Sequence, residues 1–112
     1  MKNPLIQASL AVLMLTAYGP SIARGDKQAG AKKAEELCAT CHAADGNGID
    51  STYPRLAGQY ADYMEKALED YRSGARKNAI MAGFAITLSD EDIENLSAYY
   101  AGMKGLKDLK IK

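Results

Sequence analysis

Cys38-Ala39-Thr40-Cys41-His42 decides how this 112-residue chain is read. C-x-x-C-H is the attachment signal for a c-type haem. The spacing has a mechanical reason. On a helix advancing about 100° per residue, the two thiols and the imidazole fall within an arc of about 100° on one face. Two thiols can then bond the two vinyl groups along one porphyrin edge, and the next side chain can set its imidazole over the iron. Cys38 and Cys41 are therefore expected to attach one haem c covalently, with His42 as an axial iron ligand.

Other chemistries for the same residues are weaker. The chain holds two Cys and one His, too few for a zinc site of four such ligands. A thioredoxin-like pair needs a βαβ setting, and no alternating run reads as a strand. A disulfide would leave the adjacent, sole histidine without a role.

On the N-terminal side, Lys2 precedes an apolar run from Leu5 to Ala17, broken by Gln7, Ser9 and Thr16 and followed by Ser21-Ile22-Ala23. A basic start, a short apolar run and a small-x-Ala triplet read as a secretory signal peptide. The run is shorter than the roughly 20 residues of a spanning helix. Residues 1–23 are expected to be cut off, leaving a mono-haem domain over 24–112 in the periplasm, with no membrane span after cleavage. Loss of free thiols through haem attachment suits an exported protein, where thiols oxidise.

The remainder reads as helices and loops. A helix is expected from Asp26 to His42, with Ala31, Ala34, Leu37, Cys38 and Cys41 on its apolar face. Asp45-Gly46-Asn47-Gly48 and Pro54 mark a loop over 43–58. A second helix runs from Tyr60 to Tyr71, with the stripe Tyr60, Met64, Ala67, Leu68 and Tyr71, and ends at Ser73-Gly74. Residues 75–88 read as a long loop. A third helix opens with Ser89 as N-cap and Asp90, Glu91 and Asp92 in its first turn, carries Ile93, Leu96, Tyr100 and Met103, and stops by Gly105. The fold class is all-α: three main helices and long loops. So small a domain gains little from its own core, so a group other than side chains is expected to fill its centre.

The iron needs a ligand from its other face. Met64, Met81 and Met103 remain once the signal segment is gone. Met64 and Met103 belong to helical stripes and suit a filler role. Met81 lies among the small residues of Lys77-Asn78-Ala79-Ile80-Met81-Ala82-Gly83-Phe84 and is the expected second axial ligand. Phe84 is expected at the haem edge. Imidazole and thioether together saturate the iron, leaving one-electron transfer and no catalysis: an electron carrier, not an enzyme.

The chain resembles the small bacterial class I cytochromes c, and most closely one half of the di-haem c-four type. The resemblance runs over nearly all of residues 26–103. It rests on Cys38 to Gly48, on Tyr53-Pro54-Arg55-Leu56-Ala57-Gly58-Gln59, on Gly74 to Met81 and on Leu88-Ser89-Asp90-Glu91-Asp92-Ile93. It implies the class I cytochrome c fold around one covalent haem. It also implies that the Pro54 carbonyl accepts the His42 Nδ1–H, strengthening the imidazole as a ligand, and that Gly30 marks a close crossing of the first and last helices near Tyr99 or Tyr100. Two departures stand out: there is one C-x-x-C-H rather than two, and Phe84 occupies a position where a second Met is common. Arg55, next to Pro54, is the candidate partner for a haem propionate.

Charge guides the choice of partners only in part. Lys plus Arg and Asp plus Glu both total 14, which gives no support to a nucleic-acid binder. Arg72, Arg76 and Lys77 form one basic cluster and Lys104, Lys107, Lys110 and Lys112 another; such runs are usually solvated surface, the alternative being a ring that steers acidic partners or groups that offset the haem propionates. The reading is a monomer that meets redox proteins briefly. Alternatives are a fixed subunit of one oxidoreductase and, behind it, a ligand-binding haem sensor.

Overall fold

The computed structural model describes residues 24–106. The predicted signal segment and its cleavage site, and Lys107, Lys110 and Lys112, lie outside these residues. Among the described residues there are five helices and no strand: α1 Lys27–Leu37, α2 Ala39–His42, α3 Ala61–Ser73, α4 Ala79–Ala85 and α5 Asp90–Ala101.

The chain enters α1 through an Asp26 cap, whose carboxylate accepts from Gln28 N at 2.8 Å and Ala29 N at 3.2 Å. That satisfies two of the amides a helix start leaves unpaired. The Asp26 N–H in turn donates to Asn95 Oδ1 at 2.6 Å, tying the start of α1 to the middle of α5. The single helix expected over 26–42 is divided at Cys38. The residue keeps right-handed angles, with its N–H bonded to Ala34 O at 2.8 Å. Two short segments therefore continue nearly one path, which is why the periodicity ran unbroken.

α1 and α5 cross closely. A Cβ built on Gly30 would lie 2.1 Å from the Asn95 carbonyl oxygen and 2.8 Å from Tyr99 Cβ. Only a residue without a side chain lets the two backbones approach so far, as the resemblance implied. α5 also packs on α3, and α3 on α4. α5 begins with a capping box: Asp92 N donates to Ser89 Oγ and Ser89 N to Asp92 Oδ2, both at 3.0 Å. It ends at Gly102, earlier than expected. α3 stops at Gly74, a left-handed cap with φ +83°.

The core is small: Ala34, Met64, Leu88, Ile93, Leu96 and Tyr100. Leu37, Cys38, Leu56 and Leu68 are only partly buried against it. The difference from expectation is α4, which occupies part of the predicted loop. Its run Ala79-Ile80-Met81-Ala82-Gly83-Phe84-Ala85 is uncharged and includes a glycine, so no polar face betrays a helix. Asn78 caps it, accepting from Met81 N at 2.9 Å.

Candidate functional site

An apolar cavity of about 350 Å³ opens between α2, the 43–60 loop, α3, α4 and α5. This is within the range of small-molecule sites. It brings together the residues expected around the haem: Cys38, Cys41 and His42 from the α1–α2 junction, Pro54 and Arg55 from the loop, and Met81 and Phe84 from α4.

His42 closes α2 and is 6% exposed. The next residue, Ala43, takes φ 64° and ψ 160°, a region that residues with a side chain rarely occupy. The chain reverses sharply there. Gly48 N returns to His42 O at 2.8 Å and Ile49 N to Cys41 O at 3.1 Å. Leu56 N and Ala57 N both donate to Gly46 O. This folding-back sets the Pro54 carbonyl 2.9 Å from His42 Nδ1. If Nδ1 carries the proton there, the tautomer is fixed and Nε2 is left with its lone pair. Nε2 has no hydrogen-bond partner among the described residues. Tyr53 meets the ring edge-on, with centroids 6.4 Å apart.

Both cysteines are free thiols and half-buried on the cavity wall. Burial pushes the Cys38 thiol above its ordinary pKa, and the Tyr100 hydroxyl bonded to it partly offsets this. Tyr100 is raised in turn, chiefly by its own burial.

Of the described methionines, Met64 and Met81 line the cavity and Met103 does not. Met64 is a buried member of the core. Met81 is half-buried in the first turn of α4 rather than in a loop. Phe84 is 41% exposed at the rim.

Three features escaped sequence reasoning. Arg72 is structural: it donates to Leu88 O at 3.0 Å and to Asp90 Oδ1 at 2.6 Å, contacts made across the fold. Tyr63 and Tyr71 stand with Arg76 along the cavity. Ser97 lines it too, fully buried and with no partner for its hydroxyl.

Taken together, two free thiols and an imidazole share one short helical stretch on the wall of an apolar hollow, as covalent haem attachment requires. An unpartnered buried hydroxyl against the same hollow fits a space meant to be filled. Residues 27–104 match the cytochrome c family. The chain belongs to the cytochrome c family. It is a class I, all-α member and carries one c-type haem through Cys38, Cys41 and His42. The family consists of electron carriers rather than enzymes.

Its relatives bracket it in size. It is 43% identical over 83 residues to cytochrome c-554(548) of Halomonas halodenitrificans, covering 71% of this chain and 99% of that protein. It is 44% identical over 100 residues to a thiosulfate dehydrogenase electron acceptor of Stutzerimonas stutzeri, covering 86% of this chain and 46% of that one. Reduced recombinant cytochrome c4 from Pseudomonas stutzeri superposes with a TM-score of 0.60 at 40% identity, over 74% of this chain and 52% of that structure. The chain therefore spans about half the length of the latter two and nearly all of the first.

Proposed function

We propose that this cytochrome c is a one-electron carrier of the periplasm, monomeric, with His42 and Met81 as the axial ligands of its haem. The reading rests on one observation: the thiols and imidazole of one short segment and the Met81 side chain line the same apolar cavity. When bound, the haem supplies an iron that gains or loses a single electron. The chain's own residues do the rest. His42, steadied by the Pro54 carbonyl, offers Nε2 as a ligand. Asn78 fixes the first turn of α4 and thereby Met81, whose thioether favours the ferrous state and raises the potential. Apolar walls keep water out. With both axial positions taken, no site is left for a substrate.

Phe84 at the rim and Ile80 beside it, 63% exposed, offer a small apolar contact suited to brief encounters. No described helix is long and apolar enough to cross a membrane. Likeness to a thiosulfate dehydrogenase electron acceptor supports a sulfur-oxidising dehydrogenase as the electron donor. The test mixes oxidised holoprotein with a thiosulfate dehydrogenase and thiosulfate. Stoichiometric reduction, and a ferrous spectrum indifferent to carbon monoxide at neutral pH, are expected. A carbon monoxide adduct would refute a saturated iron. Failure to be reduced, while an artificial donor still reduces the protein, would refute the choice of donor.

A further inference from the structure

The cavity is lined by two ionic side chains, and both are arginines, Arg55 and Arg76; no Asp or Glu lines it. An apolar hollow edged only by cations suits a ligand that is apolar in body and anionic at its margin. Arg76 is the more firmly held of the two. Its backbone N–H donates to Asp70 O at 3.0 Å, just beyond the left-handed cap at Gly74. Its Nη1 donates to the Tyr63 hydroxyl at 3.2 Å. Its guanidinium lies 4.9 Å from the centroid of the Tyr71 ring, the geometry of a cation–π contact. Tyr63 and Tyr71 line the cavity too. Both partners are neutral. Among the described residues no carboxylate forms an ion pair with Arg76, whereas Arg72, one turn earlier, is committed to Asp90.

We infer that Arg76, positioned by Tyr63 and Tyr71, pairs with a propionate carboxylate of the haem and raises its reduction potential. The inference rests on the haem assignment but not on Met81 as ligand. A planar guanidinium held in place matches a carboxylate with two parallel hydrogen bonds, which an ammonium cannot do. Its charge also disfavours the extra positive charge of the ferric state, so its loss lowers the potential.

The experiment measures midpoint potentials of the holoprotein and of Arg76→Gln, Arg76→Lys, Tyr63→Phe and Lys77→Gln, with absorption spectra confirming unchanged haem ligation in each. Lys77 is the control: an exposed cation one residue away that does not line the cavity. Arg76→Gln is expected to lower the potential clearly more than Lys77→Gln, with Arg76→Lys recovering part of the loss and Tyr63→Phe shifting it the same way by less. Equal shifts for Arg76→Gln and Lys77→Gln, or none for Arg76→Gln, would overturn the inference. Spectra of the parent protein that lack thioether ligation would instead count against Met81 and leave the arginine comparison intact.

Discussion

The two walls of the haem cavity are built differently. On the histidine side, an irregular loop is pinned by backbone hydrogen bonds, several of which end on Cys41, His42 and Gly46, and the α1–α5 crossing behind it is as tight as two backbones allow. On the methionine side, a seven-residue helix starts on the Asn78 cap and leaves Ile80 and Phe84, and Ile86 just beyond it, exposed, with Ile86 66% exposed. One wall is preorganised by the chain itself. The other lines the cavity with Ile80, Met81, Phe84 and Ala85 and packs on α3. Chemistry that must be exact, covalent attachment and imidazole orientation, falls on the rigid wall; the exposed apolar surface falls on the other.

Breaking the rigid wall's chemistry should have the largest effect. Replacing Cys38 and Cys41 together by Ala should yield a polypeptide whose mass contains no covalent haem, read by mass spectrometry under denaturing conditions. The two walls can then be contrasted through their helical glycines. Gly30→Ala forces a methyl group onto the Asn95 carbonyl and should cost about 1–3 kcal/mol or more. Gly83→Ala meets nothing within 4 Å and should stabilise by roughly 0.5–1 kcal/mol through helix propensity. Denaturant unfolding of both holoproteins checks the opposite signs. A smaller effect of the same origin belongs to Ala43: Ala43→Gly relieves a strained φ and should stabilise by up to about 1 kcal/mol.

The smallest effect expected is in acid. Asp92 is held below the ordinary carboxylate range, first by the Ser89 N–H and also by Lys33. A depressed acid contributes stability above its unfolded pKa and loses it as pH falls through the folded value. The capping-box contribution should therefore fade below about pH 4. Comparing the acid unfolding of the parent with Asp92→Asn should show the two stabilities converging there.

What was legible in the sequence follows the same division. The C-x-x-C-H run carries its geometry in its own spacing, and the Ser89–Asp92 box announces the start of α5. The resemblance supplied the Pro54 carbonyl and the Gly30 crossing, and the hydrogen bond and the close approach are both present. The α4 helix was missed because seven uncharged residues show no amphipathic period; the cap at Asn78 was its one local sign. The Arg72 contacts and the Tyr63–Arg76–Tyr71 arrangement were beyond reach, since each joins residues that only the tertiary fold brings together. The break at Cys38 was hidden because it leaves the helical phase almost unchanged.

The central claim is that Met81, and no other methionine, caps the iron opposite His42. Optical spectra of the oxidised holoprotein test it most directly through the weak long-wavelength band of a thioether bound to ferric haem. The account predicts that the band is present, vanishes in Met81→Ala and survives in Met64→Ala and Met103→Ala. A band that persists without Met81, or that disappears with Met64, would contradict it.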